Sequence, residues 1–213
     1  YRAIAKQRDF IDAGLKHIIL IADIHAALDD QKAPWDEIEL RSSIYEISLK
    51  KLGLNESVKY VRGSSFQKSE EYVSKLYKLL TFVTVKRATR AASEVCRMKN
   101  PKVSELIYPI MQAMDEVGLE ADIQLGGIDQ RHIFAFAREF LPKIGHKARV
   151  EIMTPLITSL KGPGTKMSAS LPGTHIKIYD SEEQVRKKLR EAFCPEGVIE
   201  DNPVFQICRH IMF

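Results

Sequence analysis

The chain has 213 residues, 45% of them hydrophobic and 28% charged, with a formal net charge of +4 and a pI near 8.9, enough apolar material for one sizeable core. No stretch approaches the about 18 consecutive apolar residues of a membrane span, and the charged opening Tyr1 to Phe10 is unlike a signal peptide. Three widely spaced cysteines, Cys96, Cys194 and Cys208, argue against a disulfide framework or a Cys-x-x-Cys metal site and predict a reducing, cytoplasmic setting.

The elements follow in chain order. Arg2 to Ala13 reads as a helix stopped by Gly14. His17 to Ala22 is a continuous apolar, β-branched run, the pattern of a strand buried on both faces of a parallel sheet. Glu37 to Leu52 is helical up to Gly53, and Val58 to Val61 is a second strand. Three helical segments follow, Ser69–Leu80, Thr84–Lys99 and Val103–Val117. Asp122 to Leu125 is a third strand closed by Gly126-Gly127, Gln130 to Leu141 a further helix, and Val150 to Met153 a fourth strand. This alternation predicts a Rossmann-like, doubly wound α/β sheet. Ser159 to Gly173 breaks it with Gly162, Pro163, Gly164, Pro172 and Gly173, as a mobile surface loop does. Beyond it, Ser181 and Gln184 form a capping box for a helix over Glu182–Phe193, and Pro203 opens a last helix. A domain boundary is expected near Tyr179, dividing an α/β domain (1–178) from a helical one (179–213).

In an open α/β sheet, ligands gather at the carboxyl ends of the strands. Those ends carry Ala22-Asp23-Ile24-His25 and Gly126-Gly127-Ile128-Asp129-Gln130. The paired glycines suit a close backbone approach to a nucleotide, with Asp129 placed for ribose hydroxyls. A tight turn with Asp129 as a helix cap explains that spacing equally well. On the helix around Tyr108, Ile107, Ile110, Met111 and Met114 form a core face. Beside it Tyr108, Gln112 and Asp115 share a stripe that could line a polar pocket, although a solvated boundary is the commoner meaning of such spacing. The loop carries Lys166-Met167-Ser168-Ala169-Ser170, a cation and hydroxyls of the kind that nucleotidyl transfer arranges around departing phosphates. Two basic groups, Lys86 with Arg87 and Arg90, and Arg186 to Lys188 with Arg190, fit either phosphate-facing patches or solvated helix faces.

Taken together these segments resemble a class I aminoacyl-tRNA synthetase, specifically the tyrosyl-tRNA synthetases of archaeal and eukaryotic type. The 166–170 loop resembles the second signature of the class. Ile-Ala-Asp-Ile-His-Ala (21–26), Gly-Ser-Ser-Phe-Gln (63–67), Tyr-Pro-Ile-Met-Gln-Ala-Met-Asp (108–115) and Gly-Gly-Ile-Asp-Gln-Arg (126–131) resemble the tyrosine and ATP pocket segments, in order. The resemblance implies that Asp115 accepts the substrate phenol and that Tyr108, Gln112 and Gln130 hold its amino and carboxyl end. It implies a pocket wall of Ala22, Phe66, Gln67 and Leu119, and an ATP site of Gly126, Gly127, Asp129, Lys166 and Met167. Lys166, Ser168 and Ser170 would steady the departing pyrophosphate, and His25 would pack nearby or act behind the pocket. It further implies Mg²⁺ carried by ATP with no tightly bound cofactor or metal site, L-tyrosine and tRNA(Tyr) as partners, and a homodimer built on the helices of residues 69–99.

The family's first signature, His-x-Gly-His, does not occur in the chain. The tyrosine of the same family strand is also without a counterpart. The resemblance therefore predicts an incomplete catalytic unit, a helical anticodon-binding domain only begun, and a poor catalyst. Three other readings stay open: a tryptophanyl-tRNA synthetase, which has no use for Asp115; a synthetase-like binding or signalling module; and a small-molecule nucleotidyltransferase.

Overall fold

The computed structural model describes residues 2–29, 34–96, 99–165, 167 and 171–212. By internal packing the chain forms two compact units, Gln7–Thr154 and Tyr1–Lys6 with Pro155–Phe213.

Helix α1 (Arg2–Asp12) leads to strand β1 (His17–Ile21) through a left-handed Gly14 at φ 84°. There Leu15 N–H donates to the Phe10 carbonyl (3.0 Å) and Gly14 N–H to that of Ile11 (2.9 Å), which closes the helix in a Schellman motif. Two short turns of helix follow as α2 (Asp23–Leu28), then α3 (Ile38–Lys51) and β2 (Val58–Arg62). Next come α4 (Glu70–Leu80), α5 (Val85–Ala92), α6 (Val103–Gly118), β3 (Ile123–Gly127), α7 (Arg131–Phe140) and β4 (Val150–Thr154). Strand β1 pairs in parallel with β2, His17 opposite Val58, and β3 pairs in parallel with β4, Ile123 opposite Val150. Each pair is joined by a helical crossover, as parallel strands require.

Two expectations change. Strand β1 is not sealed on both faces: Ile18 is 36% exposed and Ile21 alone is buried. Among the described residues its only ladder is with β2, and a two-stranded sheet is too narrow for complete cover. Helix α5 stops at Ala92, well short of the expected Lys99, while Thr84 caps its start by accepting from Arg87 N–H.

The core is gathered around α6. Ile110, Met111, Ala113 and Met114 pack with Tyr72, Leu76 and Leu79 of α4, Ala88 and Ala91 of α5, and Phe136, Ala137 and Phe140 of α7. Pro109 lies inside α6 and supplies no N–H for the carbonyl of Glu105, one turn back. The Cys96 thiol takes part of that role, donating to the Glu105 carbonyl at 3.7 Å. At the helix start, Lys102 N–H donates to Glu105 Oε2 at 2.8 Å.

In the other unit, Leu160 N–H donates to the Thr174 carbonyl (3.0 Å) and Phe193 N–H to that of Leu160 (2.8 Å), which ties the loop ends together. The capping box before α8 (Glu182–Arg190) forms as the spacing predicts: Gln184 N–H donates to Ser181 Oγ at 3.3 Å, and Ser181 N–H to Gln184 Oε1 at 2.8 Å. Helix α9 (Pro203–Met212) begins at Pro203, with Asn202 Oδ1 accepting from Val204 and Phe205 N–H, both at 3.1 Å.

Candidate active site

The site begins where β1 ends. Asp23 turns its carboxylate across to the end of β2. Its Oδ1 accepts from the N–H groups of Ile24 (2.9 Å) and Ser64 (2.8 Å), and its Oδ2 accepts from the Ser64 hydroxyl. Gly63 makes this junction possible. A Cβ there would stand 2.6 Å from Gln67 Oε1 and 3.0 Å from Asp23 Oδ1, so any larger residue would displace one of them. With the junction closed, His25 on α2 and Gln67 beyond β2 both reach α6.

Their meeting point is Asp115, 3% exposed. Gln67 Nε2 donates to its Oδ1 at 2.7 Å, and the Tyr72 hydroxyl lies 2.9 Å from the same oxygen and 3.0 Å from the Met111 carbonyl. Among the described residues Oδ2 has no hydrogen-bond partner, and it faces His25 Nε2 at 3.5 Å. Gln67 Nε2 also lies 3.4 Å from His25 Nδ1. Burial pushes the Asp115 carboxyl up to about 7, against the pull of its two donors, and pushes His25 down to about 4. His25 is therefore neutral near pH 7, and the 3.5 Å approach is not an ion pair. The Tyr108 ring packs edge-on against His25, centroids 4.8 Å apart, and Phe66 edge-on against Tyr72 at 5.6 Å. Burial raises both tyrosine hydroxyls, so each stays a neutral donor.

A second chain of side chains runs along α6 to the end of β3. Gln112 Nε2 donates to Gln130 Oε1 (3.0 Å), and Gln130 Nε2 to Asp129 Oδ2 (3.1 Å). Asp129 is not the cap of α7. It lies in the turn Ile128–Gln130 that precedes the helix. Gly126 packs so closely that an added Cβ would stand 2.6 Å from Phe134 Cζ.

The structure thus gathers Asp115, Gln67, Tyr108 and His25 in one cluster, and Gln112, Gln130 and Asp129 in another. Phe66 reaches the first through Tyr72. Leu119 is half-buried at the end of α6, Ala22 is exposed at the start of α2, and Gly127 ends β3 half-buried. Met167 is half-buried. Lys166, Ser168 and Ser170 lie outside the described residues. Sequence reasoning treated Gln67 as wall, missed Tyr72 and missed the bond between Asp23 and Ser64. A buried tyrosine in need of a hydroxyl partner was the available signal for Tyr72. For Asp115, a solvated stripe is replaced by a sealed carboxylate.

Residues 2–209 match the model of the class I tRNA synthetases of the tryptophan and tyrosine type. The chain belongs to that family. It is 42% identical to the cytoplasmic tyrosine–tRNA ligase of Gallus gallus, covering 99% of this chain and 41% of that protein. It is 40% identical to the tyrosine–tRNA ligase of Haloarcula marismortui, covering 100% of this chain and 63% of that one. The chain therefore spans less than two thirds of the length of these curated relatives. Its fold superposes with a TM-score of 0.94 on the tyrosyl-tRNA synthetase of Archaeoglobus fulgidus complexed with L-tyrosine, at 40% identity over 99% of this chain and 66% of that one. A tryptophanyl-tRNA synthetase of Giardia lamblia matches in fold, with a TM-score of 0.76 at 15% identity. These matches establish the Rossmann-like α/β class of this synthetase chain. Among the described residues no helix is long and apolar enough to cross a membrane.

Proposed function

We propose that this synthetase chain carries the site that activates L-tyrosine with ATP, giving tyrosyl-adenylate and pyrophosphate, and then charges the 3′-terminal adenosine of tRNA(Tyr). The observation that carries this reading is the sealed Asp115 carboxylate with one oxygen unpartnered. A phenol can donate to that oxygen, whereas phenylalanine would leave a buried charge or carboxyl unmet, which costs more than any contact it gains. Tryptophan brings no hydroxyl, only an indole N–H on a larger ring system. Tyr108, Gln112 and Gln130 take the amino and carboxyl end of the substrate, and Phe66, Gln67, Ala22 and Leu119 shape the wall.

No protein nucleophile is required. The tyrosine carboxylate attacks the α-phosphate, and the bond to pyrophosphate breaks. Gly126 and Gly127 let the adenosine approach the backbone, and Asp129 accepts from its ribose. Lys166, Ser168 and Ser170 steady the departing pyrophosphate and Met167 belongs to the ATP site, with Mg²⁺ entering on ATP as part of the substrate. Catalysis is positioning and electrostatic stabilisation. The division into a catalytic domain (1–178) and a helical tRNA-binding portion (179–213), and cytoplasmic residence, belong to the same reading. So does homodimerisation through residues 69–99, where Tyr77, Phe82 and Val85 expose apolar surface. A monomeric mass in dilute solution would count against the dimer.

The test is amino-acid-dependent ATP–pyrophosphate exchange on the longest chain the gene encodes. Exchange with tyrosine alone, lost in Asp115→Ala and in Lys166→Ala, is the expected outcome. Exchange with tryptophan, or with no amino acid, overturns the reading.

A further inference from the structure

The Tyr72 hydroxyl has one proton and two acceptors within reach, the Met111 carbonyl at 3.0 Å and Asp115 Oδ1 at 2.9 Å. When Asp115 is ionised, the charge-assisted bond to Oδ1 is the stronger of the two and takes the proton. When Asp115 is protonated, the same hydroxyl can turn to Met111 and accept from the carboxyl. Gln67 is already committed as a donor to Oδ1. Both donors therefore act on one oxygen, which leaves Oδ2 as a buried acceptor unpartnered among the described residues.

We propose that Tyr72 is a positioning residue for recognition of the substrate phenol, holding Asp115 through Oδ1 so that an ionised Oδ2 is presented to tyrosine. The substrate half of this inference rests on the tyrosine reading above. Tyr72 itself sits behind the carboxylate, on α4, and touches no reacting atom.

The groups that act on Asp115 agree with this role. From α2 come His25, neutral near pH 7, and the Asp23 carboxylate, whose repulsion raises Asp115. From α4 comes Tyr72; from α6 come Tyr108 and Glu116, each within electrostatic reach. From the segment after β2 comes Gln67. Among these only Gln67 and Tyr72 donate to the carboxylate and favour its charged form, while burial opposes it. Deleting one of two donors should therefore move Asp115 toward the protonated form at neutral pH.

The experiment compares the wild-type full chain with Tyr72→Phe by exchange kinetics across pH and by the ¹³C titration of the Asp115 carboxyl. In the wild type, the KM for tyrosine should fall as pH rises through about 7, where Asp115 ionises. In Tyr72→Phe, the Asp115 midpoint should move up. The tyrosine KM at pH 7 should rise about tenfold, with kcat and the KM for ATP within about twofold. If Tyr72→Phe fails to fold, Tyr72→3-fluorotyrosine offers a more acidic donor and should move the Asp115 midpoint down. A folded variant with an unmoved midpoint and an unchanged tyrosine KM overturns the proposal. A wild type that exchanges with no amino acid sinks the tyrosine reading and the substrate half with it, while the titration still decides whether Tyr72 sets the state of Asp115.

Discussion

Asp115 and Glu116 are neighbours on α6, equally sealed at 3% exposure, yet they look into different surroundings. Asp115 turns toward α2 and α4 and meets two donors on one oxygen. Among the described residues Glu116 has no hydrogen-bond partner on either oxygen and feels Glu151 and Arg149 instead. Burial raises both carboxyls to about 7. Burial alone therefore does not distinguish these two carboxyls. What distinguishes them is how the neighbours divide the oxygens: at Asp115 one oxygen is held and the other left open. At Glu116 nothing aims the group.

The contrast is tested most strongly by removing one charge at a time. Asp115→Asn keeps the size of the side chain but offers a donor where an acceptor is needed. Its kcat/KM for tyrosine in pyrophosphate exchange should fall roughly a thousandfold. Glu116→Gln, one residue along, should stay within about twofold. Equal losses in the two variants would break the distinction and make α6 as a whole the sensitive element.

The next effect is in stability and has a definite sign. Glu116 titrates near 4.5 when unfolded and at about 7 when folded. Between those values the native state holds a proton that the unfolded state has released, so the stability contribution is complete below about 4.5 and is lost as pH rises through about 7. Asp115 acts in the same direction, from 3.8 to about 7. His25 acts in the opposite one, from 6.5 down to about 4. His25 is common to the wild type and Glu116→Gln and cancels in the comparison, while Asp115, the weakest of the groups acting on Glu116, leaves a small coupled remainder. Relative to the wild type, Glu116→Gln should gain about 2 kcal/mol between about pH 5 and about pH 8, at roughly 1.4 kcal/mol per unit over the active window. Denaturant melts at both pH values measure it, and a pH-independent difference would mean that Glu116 is ionised throughout.

How far the sequence carried the reader depends on the range of the contact. The face of α6 was legible because its pattern repeats within the helix, and the same period placed Asp115 beside Met111 and Met114. The capping box at Ser181 and Gln184 and the stop at Gly14 were legible for the same local reason. Tyr72 was not: its partner is 43 residues away, and on an amphipathic helix a tyrosine reads as one more core aromatic. Asp23 and Ser64 are 41 residues apart, and nothing local announces their bond. Helix α2 spans only Asp23–Leu28, too short for a period to emerge. Glu116 follows the core stripe by two positions, where a helix ordinarily meets solvent. The groups that act on it, Glu151 and Arg149, lie more than thirty residues on and have no signature in α6 itself.

The smallest effect concerns how that second side is anchored. Glu151 on β4 is the acidic neighbour that raises Glu116. Its side chain is 6% exposed and accepts from Arg138 Nη2 at 2.8 Å, while its other oxygen is unpartnered. Arg138 is 62% exposed, so solvent screens its end of the pair and the contribution must be discounted accordingly. Arg138→Ala should cost about 1 kcal/mol or less at pH 7, more than deletion of a fully surface pair because the remaining carboxylate is buried. Glu182→Ala, which removes the exposed Arg186–Glu182 pair of α8, is the reference and should be close to neutral. Arg138→Lys should restore part of the loss, since a single ammonium can reach one oxygen but lacks the fork of the guanidinium. If Arg138→Ala is as silent as the reference, solvent and Arg149 hold the acidic side of α6 unaided. If it is costly, Glu116 and Glu151 lean on a cation at the surface, where Asp115 relies on neutral donors buried with it.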